Sequence, residues 1–167
     1  MRRADLEHII RAAGSIADAH TLVIIGSQAI LGSFPDSPPE LTMSAEADTY
    51  PLDAPEKADL IDGSIGERSP FHETFGYYAH GVGPETAVLP TRWKSRCVPV
   101  QNANTHGVLA LCLSSVDLAI SKLAAGREKD LACFPTGRLA GPSGVRGRAA
   151  SVGRSAVGTP RCRAGWQ

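Results

Sequence analysis

A chain of 167 residues with 43% apolar content is long enough for one domain with a core of its own and short for several. No apolar run reaches the roughly 18 residues of a membrane span, and "MRRADLEHII" turns amphipathic where a secretory leader would run apolar, so the expectation is a cytoplasmic protein without a membrane segment. The formal net charge of zero hides an asymmetry: all 17 acidic residues and all four lysines precede residue 133, which leaves residues 1–132 at −6 and residues 133–167, with six arginines, at +6.

In chain order, "ADLEHIIRAAGSIADA" places Leu6, Ile9, Ile10, Ala13 and Ile16 at helical spacing, which predicts a first helix over residues 3–19. "TLVIIG" is a continuous run rich in branched residues and predicts a buried strand. "SQAILGSF" predicts a short helix starting at Gly26-Ser27, and "PDSPPE" a loop. In "LTMSAEADTY", Leu41, Met43, Ala45 and Ala47 share one parity, and Thr42, Ser44, Glu46 and Asp48 the other. That alternation predicts a half-buried strand with Glu46 and Asp48 side by side on its polar face.

"APEKADLIDGSIG" predicts a helix entered through a proline, whereas "ERSPFHETFGYYAHGVG" mixes aromatic residues and glycines without a period and is left unassigned. "TAVLP" and "RCVPVQ" predict short strands, the second at a sheet edge because of Pro99. "VLALCL" predicts another buried strand. "SSVDLAISKLAAGREKDLA" predicts a serine-capped helix with Val116, Ile120, Leu123 and Ala124 on one face. The elements add up to an α/β or α+β domain with a small mixed sheet, and no 20- to 50-residue repeat is visible. Cys97, Cys112, Cys133 and Cys162 lie far apart without a C-x-x-C pair, which predicts free thiols.

Residues 133–167 have no periodicity and are built from Gly, Arg, Ala, Ser and Pro, so the domain is expected to span 1–132 and the tail to be disordered. Two readings of the tail stand. One is a basic arm that contacts nucleic acid through its phosphates; the other is an out-of-frame translation of a GC-rich gene, which produces this same residue mixture.

Which residues could carry chemistry? A strand ending in Gly-Ser and turning into a helix offers backbone N–H groups and a hydroxyl to an anion, although Gly-Ser also serves as an ordinary cap. Neither the P-loop pattern nor G-x-G-x-x-G occurs. Two carboxylates at i and i+2 on one strand face suit Mg²⁺, a hard cation that bridges nucleotide phosphates; the plainer reading is a solvated strand face. Arg92, Lys94 and Arg96 around Trp93 read as a basic edge strand or as a nucleic-acid face. His72, His80 and His106 are scattered singly and are not expected to be catalytic.

The order of these parts matters more than any one of them. A buried strand ending in Gly-Ser, a short helix, and a strand carrying [DE]-x-[DE] resemble the nucleotidyltransferase fold of the polymerase-beta type. "IIGSQAIL", "SAEAD", "FGYYAHGV" and "DLAISKLAAGREKDL" together resemble the minimal bacterial nucleotidyltransferases related to abortive-infection type IV toxins, over residues 1–132.

The resemblance implies a small mixed sheet flanked by helices and transfer of a nucleoside monophosphate from an NTP, ATP or GTP, to an acceptor hydroxyl on RNA, protein or a small molecule. It implies Glu46 and Asp48 as catalytic Mg²⁺ ligands, Gly26 and Ser27 as triphosphate contacts, and Lys122 and Lys129 as further ones. An antitoxin partner is implied as well. The sequence departs from the pattern in three ways: a long gap between Ser27 and Glu46, Glu in place of Asp at position 46, and no third carboxylate in "RCVPVQ". Glu85 and Asp117 are the spare acids. The alternative class is a catalytically silent member that senses a nucleotide or binds a partner.

Overall fold

The computed structural model describes residues 1–126; Lys129, the boundary at 132 and the arginine-rich tail lie outside them. The first helix forms as α1, Arg3–Ala17, and buries Leu6, Ile9, Ile10 and Ala13 completely, one face at i, i+3, i+4 and i+7 spacing. Asp5 closes its first turn by accepting from the Arg2 backbone N–H at 2.7 Å.

Five strands follow: β1 (Thr21–Ile25), β2 (Glu46–Pro51), β3 (Tyr78–Gly81), β4 (Val98–Val100) and β5 (Leu109–Cys112). They form one sheet in the order β3-β2-β1-β5-β4. The central strand β1 runs antiparallel to β2 and parallel to β5, while β3 is parallel to β2 and β4 antiparallel to β5. Leu22 to Ile25 are all buried, which is why the middle strand reads as an unbroken apolar run.

The remaining helices are α2 (Ile30–Ser33), α3 (Ala58–Ile65), α4 (Pro70–Phe75) and α5 (Ser115–Ala125). Helix α1 packs against α3 and β2, α2 rests on β4 and β5, and α5 meets α2 and the 3-10 turn Ser27–Ala29. The architecture is the expected mixed sheet flanked by helices. Among the described residues no helix is long and apolar enough to cross a membrane. Cys97 and Cys112 are free thiols, as expected, and Cys133 and Cys162 lie outside the described residues.

Several local expectations give way. The strand expected over 41–50 begins only at Glu46, because Pro39 opens a 3-10 turn through Leu41. Leu41 and Met43 are therefore exposed, Met43 by 83%. "TAVLP" is not a strand: a 3-10 turn, Pro84–Thr86, leads into it, and Ala87 and Leu89 pack on the core while Val88 faces outward. Among the described residues no strand pairs with it. "TRWKSR" is a 3-10 turn, Trp93–Arg96, with β4 starting at Val98 on the sheet edge. The unassigned stretch contains α4 and β3, with Gly76 in the left-handed region (φ 75°) ending the helix.

The last helix turns its apolar face outward: Val116, Ile120 and Leu123 are 62%, 42% and 54% exposed, whereas Leu118 is buried. Its serine cap forms as expected, with Ser114 accepting from the Asp117 N–H at 3.1 Å. Asp117 is fully buried and receives Arg96 on both oxygens at 2.6 and 2.9 Å. That pair fixes the helix with Leu118 buried and Ser121 and Lys122 half-buried.

Candidate metal and nucleotide site

Antiparallel pairing of β1 with β2 places the end of one strand beside the start of the other: Ile25 is the register partner of Asp48. The Gly26-Ser27 turn therefore lies next to the E-x-D pair despite the 18 residues of chain between Ser27 and Glu46. Parallel pairing of β2 with β3 then sets Tyr78 opposite Glu46 and His80 opposite Asp48. Register partners share a face of the sheet, so four functional side chains point to one place.

Gly26 has a specific reason to be glycine. Its φ is +67°, and a Cβ there would collide with Asp48 Oδ2. The turn is pressed against the carboxylate, and a side chain at position 26 would push it aside. The helix expected after the turn is a single 3-10 turn, Ser27–Ala29, and then the four residues of α2. So short an element supplies little dipole, which leaves the Ser27 hydroxyl and nearby cations as the anion-binding groups.

His80 Nδ1 lies 3.1 Å from Asp48 Oδ1 and 3.4 Å from Glu46 Oε1. Tyr78 donates to Glu46 Oε2 at 2.9 Å. Glu46, Asp48 and His80 each bring one ligand atom to within 4.8 Å of the other two. Burial pushes the Asp48 carboxyl up to about 6, and the adjoining Glu46 carboxylate adds to the rise. For Glu46, burial acts upward, but hydrogen bonds from Asp48 and Tyr78 and the charge of His80 outweigh it and hold it below its usual range. Burial acts to lower His80, and its contacts with Asp48 and Glu46 overcome this and raise it.

Two carboxylates held this close repel, and the imidazolium partly compensates them. A divalent cation at the same place would compensate them fully, and the donors, two carboxylate oxygens and one imidazole nitrogen, are those a divalent metal takes. By donor chemistry the residues fit a metal ion.

The open cleft at this cluster, of about 610 Å³, is also lined by Ser27, Ser121 and Lys122. Lys122 Nζ donates to Ser27 Oγ at 3.3 Å, so α5 brings a cation to the Gly-Ser turn 95 residues earlier in the chain. The exposed Leu41 and Met43 form part of the rim. An anionic ligand in this cleft would thus meet a lysine and a hydroxyl beside the carboxylate cluster.

Residues 4–141 match the family described as nucleotidyltransferase of unknown function (DUF6036). The chain belongs to this family. No curated protein and no solved structure matches it. Membership agrees with the sequence-based resemblance to minimal nucleotidyltransferases and assigns the chain a role in nucleotidyl transfer with an NTP as substrate.

Gly26, Ser27, Glu46, Asp48 and Lys122 are brought to one cleft; Lys129 falls outside the described residues. The spare acids do not join them. Asp117 is buried in its pair with Arg96, and the cluster at Glu46 and Asp48 includes neither Asp117 nor Glu85. The third member is His80, which the sequence reading set aside. The available signal was the alternation Tyr78–Ala79–His80, with Ala79 fully buried, but β3 is four residues long and its register partners lie 32 positions earlier in the chain.

Proposed function

We propose that this nucleotidyltransferase is of the polymerase-beta type, depends on a divalent metal, and transfers a nucleoside monophosphate from ATP or GTP to an acceptor hydroxyl. The observation that carries this reading is the convergence of Glu46, Asp48 and His80 in one cleft that Ser27 and Lys122 also line. The working unit in this reading is residues 1–132.

When bound, a divalent cation supplies charge neutralisation for the triphosphate and for the oxygens that gain charge as the bond breaks. Glu46 and Asp48 hold it, and the Tyr78 hydroxyl fixes the rotamer of Glu46 through its hydrogen bond. Lys122 and Ser27 take the phosphate oxygens that face α5, as charge-assisted donors do. The apolar rim of Leu41 and Met43 offers the base a surface without polar groups that would read one base over another. In the reaction the acceptor oxygen forms a bond to the α-phosphorus, the bond to the bridging oxygen breaks, pyrophosphate leaves with that electron pair, and the acceptor's proton is released.

A second reading, a nucleotide-binding member without turnover, is favoured by one observation: the third member of the cluster is a histidine, whereas the resemblance implies three carboxylates. Incubation with NTP labelled at the α- or the γ-phosphate, in the presence of a cell extract as acceptor source, separates the two. Nucleotidyl transfer moves the α-label to an acceptor and the γ-label to pyrophosphate. Retention of both labels in NTP, with binding intact, would contradict catalysis; γ-label on an acceptor would mean phosphoryl transfer instead.

A further inference from the structure

We infer that His80 is a direct metal ligand through Nδ1 and that it turns the site from a magnesium site into one selective for a first-row transition dication, with Mn²⁺ as the ion that also suits a triphosphate. The inference rests on the metal reading above and specifies the ion.

Three observations carry it. First, the 3.1 and 3.4 Å separations from Nδ1 to Asp48 Oδ1 and Glu46 Oε1 are close to the roughly 3 Å edge between neighbouring ligands that each lie ~2.1 Å from a shared six-coordinate ion. Second, the position is built by the backbone, because β3 pairs in parallel register with β2 and sets His80 beside Asp48. Third, a further carboxylate stands nearby: Asp62 accepts at 3.3 Å from the N–H of Gly81, the residue after His80.

The choice of ion follows from donor type. Mg²⁺ dehydrates reluctantly and is held by carboxylates, phosphates and water, and it gains little from an imidazole nitrogen. First-row transition dications accept that nitrogen readily, and affinity for mixed N/O sites rises from Mn²⁺ along the series. Replacing a carboxylate by a neutral imidazole also lowers the ligand charge from −3 to −2, which weakens Mg²⁺ binding, whose energy is mostly electrostatic, more than it weakens binding with a nitrogen bond. Mn²⁺ keeps the octahedral, oxygen-accepting habit needed for a nucleotide.

The test uses the full chain after chelation, titrated calorimetrically with Mn²⁺ and with Mg²⁺, as wild type, His80→Asp and His80→Asn. Pulsed electron paramagnetic resonance of the Mn²⁺-loaded protein reads nitrogen coordination directly, without reference to activity. The expected result is a Mn²⁺ preference of roughly tenfold or more in the wild type, a preference reduced in His80→Asp through tighter Mg²⁺ binding, and a nitrogen modulation lost in both variants. His80 is half-exposed, so the variants are expected to fold; the wild-type spectrum stands without them.

Mn²⁺ bound with no nitrogen modulation, or a Mn²⁺ to Mg²⁺ ratio unchanged in His80→Asp, would overturn the inference and leave the Glu46/Asp48 metal reading intact. Absence of binding by either ion, with or without ATP, would overturn both.

Discussion

Helices α1 and α5 are both amphipathic in sequence, and the molecule uses them in opposite ways. The apolar face of α1 is wholly buried against the sheet and α3, whereas the larger apolar face of α5 looks outward and the helix is held by Leu118, the Arg96–Asp117 pair and the contact of Lys122 with Ser27. The carboxylates stand on a strand paired on both sides, next to the central one, while the lysine stands on the lightly anchored helix. In the proposed reading, the difference makes the metal-holding half of the site preorganised and the phosphate-holding half adjustable.

The contrast breaks most visibly in stability. Ile10→Ala in α1 should cost ~3 kcal/mol by leaving a cavity in a fully buried face, and Leu123→Ala in α5 no more than ~0.5 kcal/mol, as for an exposed position. Chemical denaturation of the two variants measures this, and equal losses would mean that α5 is as firmly embedded as α1.

Gly26→Ala probes the preorganised half. The new Cβ displaces the Asp48 carboxylate, so divalent-metal affinity should fall ~10-fold or more, and the positive φ adds ~1 kcal/mol of destabilisation. Metal titration followed by thermal unfolding reads both. Lys122→Ala probes the adjustable half: NTP affinity should drop about tenfold, the size of one charge-assisted contact, with the affinity for metal alone and the melting temperature little changed. A matching fall in metal affinity would show that the two halves are not independent.

Acid should loosen both helices. The Arg96 guanidinium holds the Asp117 carboxyl below its ordinary 3.8. For Asp5, burial acts upward, but the Arg2 hydrogen bonds outweigh it and hold the carboxyl below the same value. A carboxylate whose folded pKa is depressed adds stability that is present above its unfolded value and lost as pH falls through the folded one. Melting temperature should therefore decline below about pH 4, less steeply in Asp117→Asn; a pH-independent profile would contradict the assignment of these pairs.

Much of this was legible along the chain. The i, i+3, i+4 spacing of Leu6, Ile9 and Ile10 gave α1, the run Leu22 to Ile25 gave the central strand, and the two-residue period gave Glu46 and Asp48 a common face. What the sequence hid was set by distant partners. Ala87 and Leu89 alternate with Val88 as a strand would, yet among the described residues no strand pairs with them. The inward side of α5 is chosen by an ion pair between Asp117 and an arginine 21 residues away, against the larger apolar stripe. His80 became visible only when β3 found β2, because four residues between glycines carry too little pattern to announce a strand.

The measurement that tests the central claim most directly is calorimetric binding of ATP and GTP, with and without divalent metal, to the wild type and to Glu46→Ala/Asp48→Ala. The account predicts nucleotide binding that strengthens with metal in the wild type and loses that metal dependence in the double variant, with the fold intact by circular dichroism. Folded wild-type protein that binds neither nucleotide under any of these conditions would contradict it and make the acidic pair a solvated strand face.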